Sequence, residues 1–356
     1  MDRRLSRSDS RGECSLAASI AHGLGLSGRT EEAQLLMEQR KLESSPTTAD
    51  ARNVASGQDA WLRVTSQVRS VQRDHRIAPA AGATRNSYTP PARAPQSIRI
   101  DRAALAERLA TIGLSSGSHV LVHSSLSQIG YVEGGAETVV NALLDVVGTS
   151  GTVIAPTLTG SADLRPESPV TFDVNASPSW TGAVAETVRK WPGAVRSLHA
   201  THSVAAIGAA APYITGGHLD TLTPCGRDSP YARLANMENG VILLLGCDHE
   251  SNTTLHYVEE LLGSNYHLYP KLATATIRTG DVEFARRFFL HRYGTARSFS
   301  RIEPLLRERN LQAQGIVGQA AARLMSATDL VSLATDALRA APNFFISDIP
   351  AQERAI

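Results

Sequence analysis

The stretch from Val241 to Gly263 constrains the fold of this chain more than any other. Its first five residues, VILLL, form an apolar run typical of a strand buried on both faces, and Gly246 ends that run. A short polar loop follows, and Asn252 is a natural N-cap for a helix over residues 253–262, with Gly263 at its end. The stretch predicts a strand, a loop and a helix. In open α/β sheets, ligands bind beyond the carboxyl ends of the strands, so the loop is a candidate binding site.

One histidine of the predicted helix is a candidate general base. His256 shares a helix face with Glu259 and Glu260, three and four residues further on, so a carboxylate can orient its imidazole. The alternative is that His256 is a half-buried surface histidine, because the same spacing is also typical of solvated helix faces.

Composition excludes several classes of protein. Of the 356 residues, 42% are hydrophobic and 19% are charged, which is typical of a soluble globular protein with a sizeable core. The net charge of +1 argues against a nucleic-acid binder, because neutralising many phosphates needs a basic surplus. No apolar run approaches the roughly 18 residues that span a membrane, and no apolar segment follows Arg3 and Arg4 as a signal peptide requires.

The three cysteines lie far apart, at Cys14, Cys225 and Cys247. They show no metal-ligand spacing and no disulfide framework. This usage fits a reducing compartment, so we expect a cytoplasmic protein without a bound metal. No base can be assigned to Cys225 from the sequence, so we interpret it as a small loop residue rather than a nucleophile.

Residues 1–97 differ from the rest of the chain. They are rich in Ser, Arg, Ala and Gln, and residues 78–95 form a Pro- and Ala-rich linker with polyproline character. Two segments, 16–26 and 31–42, have helical patterns but too little apolar surface for a core. We therefore expect a largely disordered extension, or alternatively a partner-binding arm, followed by one domain over residues 98–350.

From Ile98 onward helices and strands alternate, which predicts an α/β domain. The predicted helices span residues 101–112, 137–147, 182–191, 253–262, 315–325 and 329–340. The predicted strands span residues 120–122, 152–155, 197–208 and 241–245, with a hairpin of 273–278 and 283–290.

Two loops at predicted strand ends carry further candidates. His123, Ser124 and Ser125 follow the strand at 120–122 and present hydroxyl and backbone N–H groups, which suit a phosphate or pantetheine group. Serine and glycine are also what any tight turn uses, so an ordinary turn is the alternative. The loop over 157–180 is long for a compact domain, which favours a functional role.

Seven blocks of the sequence, taken together, carry a family resemblance. They are LVHSSL (121–126), YVEGGAE (131–137), GTVIAPT (151–157), TGAVAE (181–186), RSLH (196–199), LLG (244–246) and SNTTLH (251–256). In this order they resemble the aminoglycoside 3-N-acetyltransferases, from about Ile98 to Asp348. The resemblance implies the antibiotic N-acetyltransferase fold, with a central mixed, largely buried sheet flanked by helices. Residues 1–97 are not part of that pattern.

The resemblance implies an enzyme that moves an acetyl group from acetyl-coenzyme A to the 3-amino group of a 2-deoxystreptamine aminoglycoside. Members use neither a metal nor a covalent acyl-enzyme. The SNTTLH block implies that His256 is the catalytic histidine. The residue chemistry agrees, because a neutral imidazole held by a carboxylate is a simple general base for an amine.

Other roles follow from the resemblance in the same way. His123, Ser124 and Ser125 correspond to a turn that contacts coenzyme A, and residues 251–253 flank the thioester. These flanking residues are Ser251, Asn252 and Thr253. His199, which follows Arg-Ser, has a supporting role near the site. The implied partner is a small-molecule amine, with no nucleic acid and no membrane, and the implied assembly is a monomer or a homodimer.

The acid that pairs with His256 departs from the family pattern. Some members carry an acidic residue late in the domain, but the corresponding segment here, 288–297, has no carboxylate. Glu259, on the same helix as His256, is one substitute, and Glu283 is the other.

A polycationic aminoglycoside predicts several carboxylates in its pocket. The candidates are Asp163, Asp173 and Glu250. Nearby arginines weaken this acidic field, namely Arg165, Arg292 and Arg297. Two alternatives therefore stay open: an acetyltransferase of the same fold that acts on another amine in a biosynthetic pathway, and a non-catalytic coenzyme A-binding module.

Overall fold

The computed structural model describes residues 99–168 and 170–347, so the predicted extension over 1–97 lies outside the described residues. The strands are β1 Arg99–Ile100, β2 His119–Ser124, β3 Tyr131–Val132, β4 Thr152–Pro156, β5 Val170–Asp173, β6 Val195–Arg196, β7 Val204–Gly208, β8 Gly240–Leu245, β9 Leu268–Thr279, β10 Val282–His291, β11 Gln312–Val317 and β12 Ala320–Ser326. The helices are α1 Arg102–Thr111, α2 Leu126–Ile129, α3 Gly135–Val147, α4 Ala183–Lys190, α5 Ala211–Thr215, α6 Pro230–Ala235, α7 Thr254–Leu261, α8 Ile302–Glu308 and α9 Ala327–Ala340. Short 3-10 helices span His218–Asp220, His249–Ser251 and Phe299–Arg301.

A seven-stranded mixed sheet forms the centre of the domain, in the order β11-β12-β8-β2-β4-β7-β6. The three middle strands, β8, β2 and β4, run parallel to one another, and the strands on either side pair antiparallel. Helices cover both faces. The predicted mixed, largely buried sheet flanked by helices is confirmed.

Alternation along the middle strands produces two cores, one on each face of the sheet. Val120 and Val122 pack into the first core with residues of α1, α3 and α4. Leu121, between them in sequence, packs into the second core with residues of α5 to α9. Because successive side chains of a strand point to opposite faces, a strand buried on both sides is continuously apolar, as the sequence of β8 is.

A smaller sheet, in the order β10-β9-β5, packs around its own core. Its antiparallel hairpin of β9 and β10 confirms the predicted hairpin and is longer than predicted at both ends. β5 lies inside the loop predicted over residues 157–180 and pairs parallel to β9. The hairpin brings its last residue, His291, back toward the first, because His291 pairs with Leu268.

Two predicted elements are wrong. The helix predicted over 315–325 is an antiparallel hairpin of β11 and β12, with Gly318 at a positive φ of 62° in its turn. β12 also pairs with β8, so tertiary pairing overrides the helical tendency of its alanines. Of the strand predicted over 197–208, only Val204–Gly208 is extended. His199 turns the preceding segment, since its Nδ1 accepts hydrogen bonds from the backbone N–H groups of Thr201 and His202.

Candidate active site

The end of β8 positions the candidate site. Gly246 ends the strand at a positive φ of 74°. A Cβ at this position would lie 3.0 Å from the Ser125 carbonyl oxygen and 2.8 Å from the Gln128 Cβ, so only glycine fits. Asn252, fully buried, accepts a hydrogen bond from the Thr254 backbone N–H at 3.2 Å through its Oδ1. This bond fixes the start of α7 and places His256 in its first turn.

His256 and Glu259 form a hydrogen-bonded pair on α7. The distance from His256 Nδ1 to Glu259 Oε2 is 2.8 Å. With the carboxylate ionised, Nδ1–H donates and the lone pair of the neutral ring lies on Nε2. Among the described residues, Nε2 has no hydrogen-bond partner, and the His256 side chain is 22% exposed. The free nitrogen is thus available to a ligand, and the alternative of a merely solvated histidine does not account for the buried acid behind it.

Glu259 is buried completely and is held from three sides. Arg297 Nε donates to its Oε1 at 3.0 Å, and His267 Nδ1 lies 3.0 Å from its Oε2. Burial alone raises the pKa of this carboxyl group, but His267, His256 and Arg297 outweigh burial and lower the pKa to about 2. Glu259 is therefore a fixed anion at neutral pH.

Burial lowers the pKa of His256 below its ordinary value of 6.5, and the charge of Arg297 lowers it further. The hydrogen bond and the charge of Glu259 oppose this shift. The ring also contacts the ring of Phe299 edge-on at 4.9 Å between centroids. At neutral pH the imidazole is consequently uncharged, as a general base must be.

Further histidines surround this pair. The rings of His267 and His291 lie 4.9 Å and 4.8 Å from the His256 ring, and the His202 ring lies 4.2 Å from that of His291. His291 Nε2 and Glu260 Oε1 are joined by a hydrogen bond of 2.6 Å. The sequence prediction missed His267, His291 and Arg297 as site residues, because they come from segments whose approach depends on the β9–β10 hairpin. The sequence offered one signal for this difference, since residues 288–297 lack the carboxylate that some family members carry in the corresponding segment.

The predicted coenzyme A residues lie at the same edge of the sheet. β2 and β8 are parallel neighbours, with Ser124 paired to Leu245. The Ser125 backbone N–H donates to the Leu245 carbonyl at 2.9 Å. The segment 123–125 therefore adjoins the loop that leads from β8 to α7. His123 is buried, burial lowers its pKa to about 3, and its Nε2 has no hydrogen-bond partner in the part of the chain that the structure describes.

The other predicted coenzyme A residues belong to the loop after β8. Ser251 is exposed, whereas Asn252 and Thr253 are buried. Ser124 and Ser125 are half-buried, and the Ser125 hydroxyl lies 3.2 Å from that of Ser127. Hydroxyl groups from both strand ends are thus near the surface at the edge of the sheet where α7 begins.

The predicted acidic residues have different environments. Asp173 Oδ1 accepts hydrogen bonds from the Asn175 and Ala176 backbone N–H groups, both at 2.8 Å, so it holds a turn. Glu250 Oε1 accepts a hydrogen bond from the Ser300 backbone N–H at 3.1 Å. Asp163 is exposed on the loop between β4 and β5.

Two predictions about auxiliary residues receive a structural answer. Glu283 forms an ion pair with Arg278 on the β9–β10 hairpin at 2.6 Å, so Glu259 and not Glu283 pairs with His256. His199 is 4% exposed and stacks on His218 with 4.7 Å between ring centroids. Its Nδ1 binds backbone N–H groups, so the geometry gives it a part in shaping the turn before β7.

Comparison with known proteins agrees with this arrangement. The family model described as aminoglycoside 3-N-acetyltransferase matches residues 121–339. The chain belongs to this family. Aminoglycoside N(3)-acetyltransferase VII of Streptomyces paromomycinus is 33% identical over 258 residues, which cover 65% of this chain and 89% of that protein. The resemblance in the sequence blocks is confirmed, and the protein is an acyltransferase.

Solved structures of aminoglycoside acetyltransferases have a fold similar to that of this acetyltransferase. The structure of AAC-IIIb in a binary complex with CoASH has a TM-score of 0.58 and 26% identity, covering 71% of this chain and 100% of that one. AAC-VIa bound to sisomicin has a TM-score of 0.59 and 28% identity, covering 68% and 98%. None of the helices in the described part of the acetyltransferase is long and apolar enough to span a bilayer.

Proposed function

We propose that the protein transfers the acetyl group of acetyl-coenzyme A to the 3-amino group of a 2-deoxystreptamine aminoglycoside, by direct attack assisted by His256. The observation that carries this proposal is the 2.8 Å hydrogen bond from His256 Nδ1 to the buried Glu259 carboxylate, which leaves Nε2 without a partner among residues 99–168 and 170–347. Family membership supports the reaction and the substrate class. The expected compartment is the cytoplasm, where acetyl-coenzyme A is available.

His256 acts on the proton of the amine. An ammonium group has no lone pair and cannot attack a thioester, so Nε2 accepts a proton from the bound acceptor. The amine nitrogen of the acceptor then forms a bond to the thioester carbonyl carbon, and the carbon–sulfur bond breaks with departure of the thiolate. The acceptor nitrogen loses its second proton as it becomes an amide, the thiolate takes up one proton as coenzyme A is released, and His256 passes the proton that it accepted to solvent. Glu259 keeps Nδ1–H in place and stabilises the imidazolium that forms, in the manner of the acid in a catalytic triad.

Two loops hold acetyl-coenzyme A in this proposal. Residues 123–125 lie at the carboxyl end of β2 and residues 251–253 lie in the segment after β8, and these two strands are adjacent and parallel, so both segments reach the same edge of the sheet. They offer hydroxyl groups, backbone N–H groups and the unpartnered Nε2 of His123. Ligand binding beyond the carboxyl ends of parallel strands is the usual arrangement in α/β proteins, and the structure in complex with CoASH is of the same fold.

The acceptor is bound through carboxylates. Asp163, Asp173 and Glu250 are the candidates, and Asp173 and Glu250 also accept the hydrogen bonds from backbone N–H groups described above. Acidic side chains attract a polycation over long range and orient it at short range. A structure of the family is bound to sisomicin, which supports an aminoglycoside as the acceptor.

Thiol release from acetyl-coenzyme A tests the proposal. The full chain is assayed with several 2-deoxystreptamine aminoglycosides, with the same compounds already acetylated at the 3-amino group, and with simple amines. We expect release with the first group alone, and NMR of the product should locate the acetyl group on the 3-amino nitrogen.

Each other outcome has a defined meaning. Release with simple amines alone supports an acetyltransferase of another pathway. Binding of coenzyme A without any release supports a non-catalytic module. His256→Ala is the matched control, because it removes the base and leaves both strand-end loops unchanged.

A further inference from the structure

A second group of reactive side chains lies buried beside the His256 pair and has no part in the proposed reaction. His202 comes from the turn before β7, Cys225 from the loop before α6, and His291 from the end of β10. All three are buried, and one ligand atom from each lies within 4.8 Å of the others. We propose that His202, Cys225 and His291 bind one divalent transition-metal ion of the zinc type.

The chemistry of these side chains fits such an ion. Two imidazoles and one thiolate are a ligand set that Zn²⁺ prefers, whereas Mg²⁺ and Ca²⁺ require oxygen ligands. Zinc binds nitrogen at about 2.0–2.1 Å and sulfur at about 2.3 Å, so ligand atoms around one ion lie roughly 3.3–3.7 Å apart. The separations of up to 4.8 Å exceed this by about 1 Å, which side-chain rotation can close on loading. Three protein ligands leave one position of a tetrahedral ion for a water molecule.

Outer groups already orient the ligands. Glu260 contacts both His291 and Cys225, because its Oε1 is hydrogen-bonded to His291 Nε2 at 2.6 Å and both its oxygens accept from the Cys225 backbone N–H at 2.9 and 3.0 Å. His202 Nδ1 lies 2.9 Å from the Thr201 hydroxyl oxygen. In the metal-bound form His291 thus offers Nδ1 and His202 offers Nε2. A carboxylate behind a ligating histidine is a recurrent feature of zinc sites.

A competing group is built on the same histidine. His256, His267 and His291 also bring ligand atoms within 4.8 Å of one another. The two groups share His291, and the hydrogen bond between its Nε2 and Glu260 leaves only one ring nitrogen for a metal. An ion can therefore occupy one group or the other, but not both. The competing group has no thiolate, and Arg297 places its guanidinium 3.0 Å from His267 Nδ1. Arg297 also pairs with Glu259, so its positive charge offsets the carboxylate that contacts both His256 and His267. The Cys225 group is therefore the better site, and it leaves His256 free as a base.

Cobalt(II) titration of the full chain, stripped of metal with a chelator, tests the inference. Co²⁺ replaces Zn²⁺ in tetrahedral sites and reports a thiolate ligand by a near-ultraviolet charge-transfer band. We expect one Co²⁺ per chain, with that band, displaced by Zn²⁺. Cys225→Ser should abolish the band. Glu260→Gln, which changes only an outer group, should weaken binding by about 10- to 100-fold.

Matched variants separate the possible sites. Cys247→Ser removes the other free cysteine among the described residues and should leave the band intact. His256→Ala and His267→Ala should also leave it intact. Loss of binding in these two variants, with Cys225→Ser unaffected, would place the ion in the competing group and overturn the inference.

Two further results would also overturn it: no stoichiometric Co²⁺ or Zn²⁺ binding, or a bound ion without sulfur. X-ray absorption of the Zn²⁺-loaded wild-type protein settles the sulfur ligand without any variant, so a misfolded Cys225→Ser does not leave the question open. These readouts do not depend on turnover. They therefore separate a failure of this inference from a failure of the proposed acetyl transfer.

Discussion

Glu259 and Glu260 are neighbours on one helix and differ completely in ionisation. Their side chains are 0% and 2% exposed, so burial acts on both. The pKa of Glu259 is lowered to about 2, because His267, His256 and Arg297 outweigh burial. The pKa of Glu260 is raised to about 8 by burial, which its hydrogen bonds from Thr223 and Cys225 only partly offset and which the charge of Glu259 reinforces. The imidazoles of His267 and His256, together with the Arg297 guanidinium, and not the depth of burial, decide which glutamate is an anion.

Because they differ in charge, Glu259 and Glu260 have different roles beside the histidines. In the proposed reaction, the anion at Glu259 stabilises the charge that develops on His256. In the metal-free protein Glu260 keeps a proton near neutral pH and shares it with His291, so it adds no second negative charge beside the first. The following predictions test this separation.

The largest effect is expected from His256→Ala. Without the base, kcat should fall by about 10²- to 10⁴-fold, the usual range for loss of general acid–base catalysis. Coenzyme A should still bind, because residues 123–125 and 251–253 are unchanged. Steady-state kinetics and calorimetric titration with coenzyme A measure the two quantities, and near-normal turnover would remove His256 from the mechanism.

Glu259→Gln should lower kcat by about 10- to 10³-fold, since the amide keeps a hydrogen bond to His256 but loses the charge. It also leaves Arg297 buried beside a neutral group. Breaking a buried ion pair costs about 3–5 kcal/mol, which corresponds to a Tm decrease of roughly 10 °C. Turnover and Tm that both match the wild type would contradict the role of Glu259.

Mild acid should destabilise the protein in the presence of a chelator. Burial lowers the pKa of a group of histidines below the unfolded value of 6.5, namely His123, His199, His202, His218, His249, His267 and His291. Their contribution to stability is complete above pH 6.5 and is lost as pH falls, because the unfolded chain then binds more protons. The raised pKa of Glu260 has the opposite effect on stability as pH falls, so it offsets the contribution of about one histidine.

The expected result is a Tm that falls by at least about 5 °C between pH 7.5 and pH 5.5. Differential scanning calorimetry across that range measures it. A Tm that is constant or rises on acidification would show that these rings are already protonated in the fold.

The smallest effect is expected from Glu260→Gln. Glutamine resembles the protonated acid, so kcat should change by less than about threefold. The raised pKa of Glu260 costs stability increasingly between pH 4.5 and pH 8, because the unfolded carboxyl ionises there first. In the metal-free protein the variant should thus match the wild type near pH 5 and exceed its Tm at pH 8. A large loss at pH 8 would mean that Glu260 is an anion like Glu259.

Local sequence patterns predicted the pairing of His256 with Glu259. The spacing of His256 and Glu259 is a property of a single helix, and the strand, loop and helix over 241–263 were predicted with their boundaries within a residue or two. Asp101 was also predicted as a helix cap, and its Oδ1 accepts from the Ala104 N–H at 2.9 Å. Interactions over three or four residues are visible in sequence because the helix period fixes them.

The surroundings that give Glu259 and Glu260 different pKa values depend on contacts between segments far apart in the sequence. Arg297 lies 38 positions from Glu259, and Cys225 lies 35 positions from Glu260. Nothing in the spacing of the cysteines indicated a metal site, because its ligands come from a turn, a loop and a strand end. The helix predicted over 315–325 includes most of the alanine-rich strand β12, because the pairing of this strand with β8 is likewise invisible in local propensity.

The pH dependence of kcat, measured side by side for the wild type and Glu259→Gln, tests the central claim most directly. The account predicts that wild-type kcat falls tenfold per pH unit below a single pKa that lies under 6.5, as His256 becomes protonated. Because Glu259 raises the pKa of His256, the break should move to lower pH in the variant. A wild-type profile that is flat down to pH 4, or a break at the same pH in both proteins, would contradict the assignment of His256 as a base held by Glu259.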